Sequence, residues 1–181
     1  MISEHSPLPA GQLFRIGHGY DLHRLQSGGK LTLGGVVVAE DLSPVAHSDG
    51  DVVIHAVVDA LLGAMAWGDI GQMFPNTDPR WKGAPSRIFL ETVYGQVCEA
   101  RYQLVNLDVT ILAERPRLAP FKQQMAANLR RILAGQVNIK AGTNELCDAI
   151  GRGEAIGCHA VVLLAQGQLT TDDGQRTTDT L

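Results

Sequence analysis

The segment that most constrains the fold is the run from Val52 to Ala66, which is apolar nearly all round yet carries His55 and Asp59 and is preceded by Asp51. A helix that is apolar on every side has to be buried. Asp51, His55 and Asp59 recur every four residues, so they share one stripe of that helix. Burying three ionisable groups among aliphatic side chains is costly unless they are paired or bind a metal. The spacing predicts a central helix with a polar stripe and with acidic residues at its positive N-terminal end.

The other elements are arranged around it. Phe14 to Leu25 opens with alternating Phe14, Ile16, His18 and Tyr20 and reads as a strand. Lys30 to Leu33 and Val36 to Val38 flank the turn pair Gly34-Gly35 and read as a hairpin. Ser86 to Ala100 and Pro116 to Ala134 read as helices, and Tyr102 to Leu112, Val137 to Ala141 and Ala155 to Ala165 as strands. This order predicts an α+β domain over 14–166, a mixed sheet with helices packed on one face in a ferredoxin-like arrangement. Residues 1–13 and 167–181 are expected to be a flexible extension and tail.

With 181 residues, 45 % hydrophobic and 19 % charged, the chain is long enough for one core and too ordinary in composition for a disordered or coiled-coil protein. A net charge of −4 disfavours nucleic acid and anionic membrane as partners. No stretch approaches the roughly 18 apolar residues of a spanning helix, and the first residues lack the features of a secretory signal, so a cytoplasmic protein is expected. Cys98, Cys147 and Cys158 form no CxxC pair and are expected to be reduced, mostly buried thiols.

Asp21-Leu22-His23 places a carboxylate and an imidazole two residues apart on a strand, on one face, with backbones about 7 Å apart. Asp21, His23 and His55 would supply one oxygen and two nitrogen ligands, the protein share of an open tetrahedral zinc site. Asp59 or Asp51 could then orient His55 from behind. Hydrogen-bonded structural histidines satisfy the same spacing. In the loop 46–51 just before the helix, Ser48 and Asp49 either cap the helix or help its free N–H groups bind an oxyanion. His47, eight residues before His55, can face the same cavity. The loop 68–79 is rich in Gly, Pro and Asx; its Asp69 and Asp78 suit sugar hydroxyls or plain surface turns. Neither Gly17-His18-Gly19 nor the 151–157 glycine pattern is a dinucleotide fingerprint or a P-loop.

Taken together, R-I-G-H-G-Y-D-L-H (15–23), A-H-S-D-G-D (46–51), H-A-V-V-D-A-L-L-G-A (55–64), G-D-I-G-x-x-F-P-N-T-D-P (68–79) and D-V-T-I-L-A-E-R-P-R-L (108–118) resemble the 2-C-methyl-D-erythritol 2,4-cyclodiphosphate synthase family. The resemblance implies zinc on Asp21, His23 and His55, with His47 and Thr143 stabilising the transition state. Asp69, Ile70 and Gly71, with Phe74, Pro75, Asn76, Thr77 and Asp78, would hold the methylerythritol, and Ser48 would contact substrate. Ala113, Arg115, Pro116, Arg117, Leu118 and Ala119 would cradle the cytidine. Glu145 would meet a second divalent cation, Mg2+ or Mn2+. The family is a homotrimer with sites between subunits, and Arg152 would lie near a central cavity able to take an isoprenoid diphosphate. Where the family often has A-T-T-T-E-K-L-G-F-x-G-R, this chain reads A-G-T-N-E-L-C-D-A-I-G-R (141–152), without the hydroxyl at Gly142, the charge at Leu146 or the ring at Ala149.

The implied reaction is intramolecular. The 2-phosphate of 4-diphosphocytidyl-2-C-methyl-D-erythritol 2-phosphate attacks the β-phosphorus, closes a ring and expels CMP. A phosphate monoester with a second pKa of about 6 is already mostly dianionic at neutral pH, so no strong base is required. The needs are charge neutralisation and in-line placement. Two other readings share the triad: a zinc hydrolase, for which no HExxH or His-x-Glu element is present, and a trimeric small-molecule sensor with a structural metal.

Overall fold

The structure is a computed structural model that describes residues 13–81 and 83–167. The extension and tail expected at the two ends therefore lie almost wholly outside the described residues. The elements are β1 (Phe14–Ser27), β2 (Leu31–Leu33), β3 (Val36–Ala39), β4 (Leu42–Pro44), α1 (Val52–Met65), α2 (Ile70–Met73), a 3-10 turn (Pro79–Trp81), α3 (Ser86–Glu99), β5 (Tyr102–Leu112), α4 (Lys122–Leu133), β6 (Gln136–Gly142), α5 (Asp148–Gly151) and β7 (Ala155–Gln166). Five strands form one mixed sheet in the order β4-β1-β7-β5-β6, and β2 pairs with β3 in a separate hairpin. β7 is antiparallel to both β1 and β5, and β6 is parallel to β5. β1 and β5 thus run the same way with β7 between them.

The seam between β1 and α1 positions the site. On β1, odd-numbered residues face the helices and even-numbered ones the open side. Gly17 and Gly19 lie under Ala56, Ala60 and Ala64 of α1, and a Cβ on either glycine would stand 1.9 Å from a helix carbonyl oxygen, that of Ala60 or Ala56. Only glycine permits so close a backbone approach. The same alternation turns Asp21 and His23 toward α1. It leaves the larger Ile16, Tyr20 and Leu22 on the open face, 72 %, 45 % and 45 % exposed, with Val161 of β7 beside them.

α1 is buried as expected, and its N-cap is Asp51, which is wholly buried. The Asp51 carboxylate accepts from Val53 N (3.2 Å) and Ile54 N (3.1 Å), and also from Gly34 N and Gly35 N at 2.8 Å each, tying the hairpin turn to the helix. Burial pushes its carboxyl up to about 6, against the opposing pull of these N–H groups. Since the folded value lies above the ordinary 3.8, protonation favours the fold. Asp51→Ala should cost about 2–4 kcal/mol near pH 4 in urea unfolding, because four N–H groups lose their acceptor. The deficit should narrow as pH rises through about 6, where the native carboxylate becomes charged in its buried place. A variant as stable as the parent near pH 4 would contradict this.

Three expectations are corrected. The helix expected from Pro116 starts at Lys122, since Pro116 and Pro120 hold the intervening chain out of the helical region. Cys98 and Cys147 are exposed, the first on the outward side of the end of α3 and the second in the loop before α5; Cys158, on the helix side of β7, is buried and its thiol is pushed up by that burial. The short elements β4, α2 and α5 were not expected at all. No described helix is long and apolar enough to cross a membrane.

Candidate metal centre

β1 and α1 bring Asp21, His23 and His55 together with one ligand atom from each inside 4.8 Å of the others. Asp21 Oδ1 accepts from Leu22 N at 2.9 Å, which leaves Oδ2 for the imidazoles. His55 Nδ1 lies 3.0 Å and His23 Nε2 3.3 Å from that oxygen. His23 Nδ1 lies 3.1 Å from Leu22 O, an acceptor, so Nδ1 carries the proton and Nε2 is bare. Nε2 is buried and has no hydrogen-bond partner. A buried bare nitrogen aimed at a carboxylate oxygen and a second imidazole fits a cation with N and O preference, which is the donor set expected for zinc.

Electrostatics separate the two histidines. Burial lowers His23 more than the Asp21 charge raises it. For His55 burial also pulls down, but the hydrogen bond and charge of Asp21, with Asp51 and Asp49, outweigh it and raise the ring. On its far side His55 Nε2 lies 2.8 Å from Ser86 Oγ and 3.1 Å from Ser48 Oγ.

A cavity of about 500 Å3 opens against the triad. It is lined by His23 and His55, by His47 and Ser48, and by Ile70, Gly71, Phe74, Pro75, Asn76 and Thr77. Phe74, Trp81 and Phe89 pack together at its base with ring centroids 4.6–5.6 Å apart, Trp81 meeting both phenylalanines edge to face. A second cavity, of about 190 Å3, is lined by Ala113, Pro116, Arg117, Leu118, Ala119 and Thr143, with Glu114, Lys122, Ala141 and Gly142. Strand register puts Leu22, Gly157, Leu112 and Gly142 in one row. At a strand spacing of about 4.8 Å, the second cavity begins about 14 Å from the row position of the triad.

The sequence profile of the YgbB family matches residues 14–165, a span that holds the triad and both cavities. The chain belongs to the YgbB family. It is 51 % identical over 155 residues to the 2-C-methyl-D-erythritol 2,4-cyclodiphosphate synthase of Pectobacterium atrosepticum, covering 84 % of this chain and 94 % of that one. It is 47 % identical over 162 residues to the chloroplastic enzyme of the same name from Oryza sativa subsp. japonica, covering 88 % and 73 %. Among solved structures, a Plasmodium falciparum IspF described as a CDP complex superposes with a TM-score of 0.76 at 32 % identity, covering 86 % of this chain and 97 % of that one.

In this YgbB-family chain several expected site residues have other partners. Asp59, expected behind His55, instead accepts from Ile70 N at 2.7 Å and so anchors the start of the 70–77 segment. Its stripe position points it past His55 toward α2. Asp51 holds the hairpin turn instead of His55. Asp69 accepts from Gln72 N as the cap of α2, and Asp78 pairs with Arg80, so neither side chain lines the cavity. Arg115 is absent from the second cavity's lining, with its Nε beside Gly153. Thr143 Oγ1 donates to Glu145 at 3.1 Å, and Arg152 pairs with Glu154 at 3.0 Å. Among the described residues no hydrogen bond or ion pair joins Thr143, Glu145 or Arg152 to the triad.

The YgbB-family site also contains residues that sequence reasoning passed over. Phe89, an apolar residue of α3, serves both core and cavity. Trp81 carried no periodic signal. Ser86, fully buried and touching His55, looked like an ordinary helix start.

Proposed function

We infer that this chain converts 4-diphosphocytidyl-2-C-methyl-D-erythritol 2-phosphate to 2-C-methyl-D-erythritol 2,4-cyclodiphosphate with release of CMP, in isoprenoid precursor biosynthesis. The observation that carries this is the meeting of Asp21 Oδ2, His23 Nε2 and His55 Nδ1 beside a cavity lined by the 70–77 segment. Those three atoms would hold Zn2+. When bound there, zinc supplies Lewis-acid polarisation of a phosphoryl oxygen.

The chain's own groups do the rest. Ile70, Gly71 and Phe74 to Thr77 enclose the methylerythritol; with their side chains engaged elsewhere, Asp69 and Asp78 contribute through the loop they hold. His47 and Ser48 offer donors to the phosphates at the cavity wall. Ala113, Pro116, Arg117, Leu118 and Ala119 hold the cytidine, and Thr143 steadies its diphosphate. Glu145 would hold a second cation, Mg2+ or Mn2+. No side chain needs to remove a proton from the attacking phosphate, which is already dianionic.

Because Thr143 and the cytidine cavity stand about three strand spacings from the triad, we read the working site as shared between copies, with the second cavity supplied by a neighbour in a homotrimer. The open sheet face with Ile16, Tyr20 and Leu22 supports such packing. Arg152 near an axial cavity for an isoprenoid diphosphate, the ferredoxin-like description in its split βαβ sense and a cytoplasmic setting belong to the same reading.

Purified protein given the cytidylyl substrate and Mg2+ should release CMP and a cyclic diphosphate, and chelation should lower the rate at least about 100-fold, restored by zinc. Free phosphate in place of the cyclic product would favour a hydrolase, and CMP release indifferent to chelation would sink the metal assignment.

A further inference from the structure

Resting on the reading of Asp21, His23 and His55 as a metal centre, we propose that Asp49 and Ser86 form a positioning relay that keeps His55 protonated on Nε2 and bare on Nδ1, the atom turned to the metal.

The hydrogen count decides the direction of the relay. Ser86 is fully buried at the first turn of α3. Its backbone N donates to Asp49 Oδ2 at 2.9 Å, and its hydroxyl donates to Asp49 Oδ1. A carboxylate can only accept, and a serine hydroxyl has a single hydrogen, so that hydrogen is committed to Asp49. What Ser86 Oγ presents to His55 Nε2 at 2.8 Å is therefore a lone pair, and the ring nitrogen has to carry the proton. A neutral imidazole has one N–H. The hydrogen bond from Nδ1 to Asp21 Oδ2, 3.0 Å away, belongs to the doubly protonated ring; once the ring is neutral, Nδ1 is bare.

Without the relay the ring would reverse its tautomer. Nδ1–H would donate to Asp21 and close the pair with a good hydrogen bond, occupying the atoms that the cation needs. Ser48 Oγ, 3.1 Å from the same Nε2, does not decide the matter, because it takes Gly50 N–H and keeps its own hydrogen free to suit either tautomer. Asp49 is steadied in turn by Asp51 N at 3.2 Å. The relay thus joins the 46–51 loop and α3 to a helix side chain on α1. Outer partners of this kind commonly fix the tautomer of a metal-bound histidine.

The test uses full-length protein with 15N-labelled histidine, stripped of metal, at mildly alkaline pH. His55 in the parent should show its proton on Nε2, whereas Ser86→Ala should populate the Nδ1–H form and bind zinc about 10- to 100-fold more weakly in chelator competition. Asp49→Asn, which keeps the volume while weakening the acceptor, should move both readouts in the same direction and stands in if Ser86→Ala fails to fold. A metal-free parent with the proton on Nδ1, or both variants showing the parental tautomer and undiminished zinc affinity, would overturn the relay while leaving the metal centre intact. A parent that binds no zinc would instead sink the underlying reading.

Discussion

His55→Ala should purify without stoichiometric zinc and release CMP at least about 100-fold more slowly than the parent, with elemental analysis and a CMP assay as the two measurements. The loss is not merely one ligand in three. Asp21 Oδ2 is oriented by Leu22 N through the other carboxylate oxygen, and among the described residues its polar partners are the two imidazoles. Removing the ring on α1 leaves a strand carboxylate and a strand imidazole without the helix ligand that closes the site. The variant gives up the packing of His55 against Phe89, at 6.3 Å between ring centroids, but the contacts of Phe74, Trp81 and Phe89 with one another remain, so it should stay folded. Parental CMP release from that variant would refute the metal assignment outright.

Gly19→Ala should damage the fold severely for the addition of one methyl group. Its Cβ would stand 1.9 Å from Ala56 O and 2.7 Å from Ala60 N, both backbone atoms that cannot swing aside. Overpacking typically costs about 1–3 kcal/mol and more where backbone must move, and for a domain of this size each kcal/mol is worth about 2–4 °C. We expect a melting temperature lower by roughly 10 °C and weakened zinc binding, since Asp21 and His23 ride on the displaced strand. Gly17→Ala meets Ala60 O at the same distance and should behave alike. A melt unchanged in both would mean that α1 and β1 do not approach this closely.

The triad was legible because two independent periodicities converge on it. A strand turns Asp21 and His23 to one face, and the four-residue stripe puts His55 on a helix that must be buried. What the stripe could not tell was which way each of its members looks: Asp51 serves a hairpin turn and Asp59 the backbone of Ile70, because both are near helix ends or loops whose N–H groups compete for them. On β1 the alternation was visible, but glycine hides which face is buried. Gly17 and Gly19 carry no hydrophobicity, while the larger Ile16 and Tyr20 lie on the open side. The four-residue helices α2 and α5 and the three-residue β4 are too short to show a period at all. Ser86 has no signal in one sequence, since its significance comes from the three-dimensional approach of α3 to the 46–51 loop.

Backbone-to-backbone contact along the glycine and alanine seam also limits how this molecule can change. Strand and helix cannot be eased apart or drawn together by exchanging one aliphatic side chain for another, so the gap between the strand ligands and the helix ligand is set by peptide groups. A descendant with a taste for a larger or differently coordinated ion would therefore have to exchange Asp21, His23 or His55 themselves, because remodelling the surrounding core offers no gradual route.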